Sequence, residues 1–381
     1  MSLINKESSI DILKTLIGFD TTSYKSNLSL IENVQSLLES YGISVVVDHN
    51  EEGNKANLFA STGPIEEHGV LLSGHTDVVP ANKDHWESDP FIAEERDDKI
   101  YGRGSTDMKG FVACAIRIMC QASQHKLSIP LHLCLSFDEE IGCLGVRNIL
   151  PKLPNLMKAP RFCVIGEPTS MQIALGHKGK AVYQAHCSGE NGHSSMAPNY
   201  RNAIHVATQV VTSLIDSQNE LARSGQRDEE YDIPYTTIHV GKIQGGTALN
   251  VVSDSCTIDY EIRHIAEDSI DTINDIINTN LQKQAYSQYA NIQFMNAYPG
   301  LSTSREHPEL KFLKSLLSDD TTVGKIPFGT EGGLFSQTFD SPIFVCGPGS
   351  MEQGHKPNEY VEISEMNKCD LFLENLLKQL Q

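Results

Sequence analysis

Three short apolar runs constrain the fold of this chain more than any other feature: GVLLS from Gly69, LHLCLSF from Leu131 and RFCVIG from Arg161. A strand with one wet face alternates polar and apolar residues; GVLLS and RFCVIG do not, and LHLCLSF places only His, Cys and Ser between its leucines and phenylalanine, so each reads as a buried-type strand. ISVVV from Ile43 and NLFAS from Asn57 read as further strands. Helical spacing of Ile10, Leu13, Leu16 and Ile17, then of Leu30, Val34, Leu37 and Leu38, predicts two helices between about 10 and 41, the second stopped by Gly42. GFVACAIRIMCQAS from Gly110 predicts another. Strands alternating with helices predict an α/β fold: a mixed, mostly parallel sheet flanked by helices.

The pattern changes after His177. AVYQAHCSG from Ala181 alternates as a half-exposed strand does, and a helix follows from about Asn202 to Leu221. The polar stretch from Ala222 to Asp232 reads as an exposed loop. TTIHVGKIQ and SCTIDYEIRH read as strands, HIAEDSIDTINDIINTNLQKQ holds a long helix, and NIQFMNA is a final strand. That order, β-α-β-β-α-β, is the ferredoxin-like split arrangement. From about Tyr298 the α/β character returns, with SPIFVCG as a strand and a last helix from about Ile363 to Leu380. At 381 residues the chain is too long for one ordinary core. The expected division is 1–178, an inserted α+β domain over 179–297, and 298–381.

A formal net charge of −19 argues against nucleic acid or an anionic membrane as partner, because phosphates need clustered Lys and Arg. No apolar run is long enough to span a bilayer, and the N-terminal segment lacks the pattern of a signal peptide. The nine Cys form no C-x-x-C pair, and most sit in apolar stretches. They read as buried free thiols in a reducing cytoplasm.

The ends of the apolar runs carry the chemistry. GVLLS leads into GHTDVVP, where His75 and Asp77 would share a face on an extended strand, and Asp77 could orient a metal-binding His75. Alone, the pair is equally a structural histidine beside a solvated carboxylate. YGRGSTDMKG from Tyr101 ends in Asp107, which could equally sit in a glycine-rich turn at a helix start. LHLCLSF delivers Asp138, Glu139 and Glu140, otherwise a charged turn, and RFCVIG delivers Glu167. His355 follows SPIFVCG in a loop. Open α/β sheets bind ligands at the C-terminal ends of their strands. Taken together, His75, Asp107, Glu140, Glu167 and His355 are the oxygen and nitrogen donors that paired divalent hydrolytic metals use, with Zn favoured by the imidazoles. Glu139, beside a ligand, could act on a bound water as general base.

The series GHTDVVP, YGRGSTDMKG, FDEEIG, IGEPT and GHKPNEY resembles the M20 family of metallopeptidases and amidohydrolases over essentially the whole chain. The resemblance implies a zinc-dependent exopeptidase-like catalytic domain with an inserted lid and dimerisation domain. It implies His75 and Glu167 on one metal, Glu140 and His355 on the other, and Asp107 bridging two divalent ions, Zn with Co or Mn as alternatives. Glu139 would be the base and Asp77 the support of His75, with a cis peptide at Asp107–Met108. In the lid, His193 of GHSSMAP would cross a homodimer interface to polarise the scissile carbonyl. Asn250 and Arg263 would contact the substrate, and Gly329, Thr330 and Glu331 would line its pocket. The implied activity is hydrolysis of a small N-acyl amino acid. A peptide substrate, or a non-catalytic binding role on the same scaffold, are the alternatives.

Overall fold

The structure, a computed structural model, describes residues 8–381, so the first seven residues of the segment read for a signal peptide lie outside it. The chain divides into two compact units. Among the described residues the first comprises 8–176, 303–324 and 330–381, and the second comprises 177–302 with a short return at 325–329.

The first unit opens with α1 (Ser9–Ile17), capped by the Ser8 hydroxyl on the Asp11 amide, and α2 (Leu28–Ser40). Gly42 ends α2 in the left-handed region at φ +73°, a conformation that costs glycine nothing. Then come β1 (Ser44–His49), β2 (Ala56–Thr62), β3 (Val70–His75), α3 (Lys109–Ala122), β4 (Leu131–Ser136), β5 (Phe162–Ile165) and β6 (Ile173–His177). Every residue of β3, β4 and β5 is buried. So is nearly all of α3, which packs against α1 and the two strands β3 and β4. An all-round apolar helix is what a position inside the core requires.

The second unit holds β7 (Gly179–Ser188), α4 (Ala203–Ser224), β8 (Thr237–Gly245), β9 (Ser255–His264), α5 (Ile270–Gln282) and β10 (Ala290–Tyr298). Its four strands are antiparallel in the order β8-β9-β7-β10, the ferredoxin-like topology. Alternate residues of β7 and β9, such as Tyr183, Ala185, Ile258 and Tyr260, are buried in one cluster with Val210 and Leu214 of α4 and Ile273 and Ile277 of α5. The helix α4 runs three residues beyond its expected end, because Ala222–Ser224 are adequate helix formers that carry no apolar period. A two-residue ladder pairs Gly192–His193 with Val251–Val252.

The first unit resumes with α6 (Gly332–Thr338), β11 (Ile343–Val345) and α7 (Ile363–Leu380). Its central strands run in the order β1-β2-β4-β3-β5-β11-β6. The pairs β4–β3, β3–β5 and β5–β11 are parallel, whereas β1–β2, β2–β4 and β11–β6 are antiparallel. The sheet is therefore parallel at its centre and antiparallel toward its margins. From β3 the chain proceeds first to the neighbour on one side, β4, and then to the neighbour on the other, β5. That reversal is a topological switch point, where a crevice opens beyond the strand ends.

Candidate metal centre

His75 is the last residue of β3, Glu139 and Glu140 follow β4 within four residues, and Glu167 follows β5 within two. The register aligns these ends: His75 lies opposite Ser136, and Ser73 opposite Ile165. Gly166 is required beside Glu167, since a Cβ there would stand 1.9 Å from the Phe111 ring of α3. Asp107 arrives from the loop before α3, across a cis peptide to Met108, and His355 from the loop after β11, in a left-handed conformation at φ +61°.

The five side chains form two triads that share Asp107. One is His75, Asp107 and Glu167, and the other is Asp107, Glu140 and His355; within each, the donor atoms lie within 4.8 Å of one another. His75 Nε2 is 3.1 Å from Asp107 Oδ1 and 3.8 Å from Glu167 Oε1. His355 Nε2 is 3.0 Å from both Asp107 Oδ2 and Glu140 Oε2. The first triad is buried, while the His355 side chain is 49% exposed, so the second stands at the rim.

Electrostatics test whether cations fit. Burial and the Asp107 charge push the Glu140 carboxyl up to about 7 and the Glu167 carboxyl well above its usual range. Burial would also raise Asp107, but hydrogen bonds from His355 and His75 hold it low. His355 is in turn pushed up to about 10 by Asp107 and Glu140. Three carboxylates converging out of water repel one another unless positive charge sits among them. A mixed oxygen and nitrogen donor set fits divalent metal ions.

Around the triads, the roles are more specific than H-x-D spacing predicts. β3 ends at His75, so Asp77 is not on an extended strand. His75 Nδ1 donates to the Asp77 backbone carbonyl at 2.9 Å, while the Asp77 carboxylate stands at 3.5 Å. That carboxylate accepts from the amides of Glu139 (3.0 Å) and Glu140 (3.3 Å) and from the Ser23 hydroxyl (2.8 Å). Asp77 therefore ties the β4 turn to β3 as well as supporting His75. Asp138 turns away in a left-handed conformation to pair with Lys55 at 2.5 Å. Glu139 is raised well above the usual carboxylate range by burial and by Glu140 and Glu331, against the opposing pull of His75.

Glu359, inside GHKPNEY, is a residue that the sequence did not single out. It is buried, receives Arg103 Nη1 at 2.7 Å, and accepts from the amides of Gly104, Thr106 and Asp107 at 3.0, 3.0 and 3.1 Å. It clamps the loop that presents Asp107. Nothing in the sequence couples positions so far apart, although a carboxylate four residues after His355 is a visible candidate.

Thr330 and Glu331 belong to the first unit. Thr330 is buried and its hydroxyl accepts from the Gly332 amide. Glu331 is 1% exposed, its oxygens have no hydrogen-bond partner among the described residues, and burial pushes its carboxyl up to about 7 despite the nearby Ser136 hydroxyl. His193, Asn250, Arg263 and Gly329 belong to the second unit. His193 is exposed; its Nδ1 accepts from the Ser195 amide, which leaves the ring proton on Nε2. The Asn250 carbonyl accepts from the Ser194 amide, which sets it beside His193. Arg263 reaches Glu261 at 3.0 Å and the Tyr298 hydroxyl at 3.2 Å. A Cβ on Gly329 would collide with that same hydroxyl at 2.2 Å.

Comparison with known proteins adds to this geometry. The family described as Peptidase family M20/M25/M40 matches residues 71–379. A protein of Aliivibrio fischeri (strain MJ11) named acetylornithine deacetylase is 30% identical over 361 residues, covering 94% of this chain and 93% of its own. One of the same name from Pasteurella multocida (strain Pm70) is 30% identical over 382 residues, 99% of this chain and 98% of its own. Among solved structures, the M20 family metallo-carboxypeptidase Sso-CP2 from Sulfolobus solfataricus superposes with a TM-score of 0.80. It is 19% identical and covers 98% of this chain and 99% of its own, a likeness of fold.

Proposed function

This chain belongs to peptidase family M20/M25/M40 and is a metal-dependent amidohydrolase; from that premise we propose that it removes the acetyl group of N2-acetyl-L-ornithine, giving L-ornithine and acetate in arginine biosynthesis. Near full-length likeness to proteins named acetylornithine deacetylase supports the substrate. The pair of triads sharing Asp107, with Glu139 on the adjoining turn, is the observation that carries the chemistry.

In the proposed site His75 and Glu167 would hold one divalent ion and Glu140 and His355 the other, with Asp107 available to both. Zn suits the imidazoles, and Co or Mn accept the same donors. Bound cations of this kind polarise a carbonyl and bring the pKa of water toward neutrality. Glu139 takes a proton from the attacking water and returns it to the leaving nitrogen, so that the C–N bond breaks to an amine and a carboxylate. Asp77 keeps the Glu139–Glu140 turn in place during both transfers. The His193 Nε2–H donates to the carbonyl oxygen as negative charge builds there. Arg263 and Asn250 receive the substrate's carboxylate end, Glu331 its side-chain ammonium, and Gly329 and Thr330 shape the pocket.

His193 is proposed to serve the partner's site in a homodimer. Ile204 and Ile215 of α4 and Ile243 of β8, a strand at the edge of its sheet, are 38%, 54% and 51% exposed, and large apolar side chains beside a sheet edge are what subunits cover. Among the described residues no helix is long and apolar enough to cross a membrane, and nine free buried thiols accord with the proposed cytoplasmic location.

Initial rates with N-acetylornithine, N-succinyl-diaminopimelate and dipeptides test the substrate. The acetylated compound should be preferred, and preference for either of the others would replace this reading. Glu139→Ala should lose ~10²–10⁴-fold in kcat with its metal retained; full activity in that variant would remove Glu139 from the mechanism.

A further inference from the structure

After β4 the chain turns sharply back. The amides of Gly142 and Cys143 both donate to the Glu139 carbonyl at 2.8 Å, Leu144 N donates to Asp138 O, and Gly145 N donates to Phe137 O, each at 3.0 Å. The turn sets the Cys143 thiol 3.3 Å from Glu139 Oε1, close enough to donate to it. Cys143 is fully buried and lies in the left-handed region at φ +55°. Glycine is the residue that such a position favours, and a side chain held there against that preference points to a use for the side chain. Burial and the carboxylates of Glu139 and Glu331 raise the thiol well above its ordinary range, so it faces Glu139 as S–H.

We propose that Cys143 is a positioning residue for the general base: its thiol occupies Oε1 of Glu139 and leaves Oε2 as the oxygen that exchanges a proton with water and with the leaving nitrogen. The inference rests on the reading of Glu139 as the base. A carboxylate on a turn can rotate about its last torsion, and one fixed hydrogen bond selects the orientation that aims its free lone pair at the reacting atoms. The proton balance is unaltered. Oε2 gains the proton of the attacking water and gives it to nitrogen, and the thiol keeps its own throughout.

Cys143→Gly tests this directly, because glycine accepts the left-handed backbone and so keeps the turn while removing the donor. Expected is a fall in kcat of roughly tenfold with KM and bound metal unchanged. The acid limb of the pH profile should move to higher pH, since a donor to the charged carboxylate has been lost. Cys143→Ser restores a donor and should recover most of kcat and the original limb. Equal losses of thermal stability in both variants, with kcat and pH profile unmoved, would show a packing role only and overturn the proposal. Glu139→Gln separates the two claims. If it is active, the base assignment fails; if it is inactive while Cys143→Gly turns over normally, only the role of Cys143 fails.

Discussion

Asp107 belongs to both triads, and its placement depends on a residue that touches neither metal position. Glu359 accepts three amides of the 104–107 loop and pairs with Arg103, all out of water. In Glu359→Gln the guanidinium loses its countercharge in a buried site, which costs on the order of 3 kcal/mol, and the loop loses its anchor. Zn affinity should fall roughly 10–100-fold, the range that follows loss of a ligand's support. Isothermal titration of metal into the stripped protein checks this, and wild-type affinity would show that the loop holds Asp107 unaided. The ligands themselves were legible in the sequence because His75, Glu140 and Glu167 each interrupt an apolar run at its end. The clamp was not, since Arg103 and Glu359 meet only through folding. Asp77 was half legible: its neighbourhood to His75 follows from spacing, but its hold on the Glu139 and Glu140 amides needs β3 to end where it does.

Strands β2 and β4 carry a titration of their own. His132 of β4 is fully buried, stacks on Phe59 of β2 and meets the Ser61 hydroxyl at 2.9 Å, and its pKa is pushed down by burial to about 4. The folded chain thus keeps this ring neutral where the unfolded chain, titrating near 6.5, takes up a proton. Stability from this group is complete above about 6.5 and is lost as pH falls toward about 4, by ~3 kcal/mol in all. Denaturant unfolding at pH 7 and pH 4.5 should show a smaller drop for His132→Asn than for the wild type; an equal drop would assign the acid sensitivity elsewhere. The same strands mark where sequence reading of elements stopped. Apolar runs locate β2 and β4 without giving direction, because burial on both faces looks alike in either sense, and the largely exposed or half-buried β1 gives none either. The link from 50 to 55 is too short for a crossover, and so β1 and β2 pair antiparallel at the margin of a sheet whose centre is parallel.

The two units divide the proposed machinery between them: the triads and Glu139 in the first, His193 and Arg263 in the second. If His193 serves its own subunit, each chain is self-sufficient and assembly is incidental. If it serves the partner, each competent site needs Glu139 from one chain and His193 from the other. Mixing two inactive variants distinguishes these cases. His193→Ala chains keep the base, and Glu139→Ala chains keep the imidazole. In a randomly reassorted mixture half the dimers carry one chain of each kind, and each of these completes one site of its two. Activity should therefore return to about one quarter of the wild-type level. It should appear only after subunit exchange, and stay absent when each variant is assayed alone. A mixture that stays inactive after exchange would place His193 in its own chain's site and leave the exposed isoleucines of α4 and β8 to some other contact. The excess of acidic residues works in the same direction as the exchange experiment, because with a net charge of −19 long-range repulsion slows assembly at low salt and screening relieves it. When the two variants are dissociated before mixing, so that assembly alone sets the rate, recovery should accordingly be faster at about 0.3 M than at about 0.02 M NaCl, from the change in Debye length.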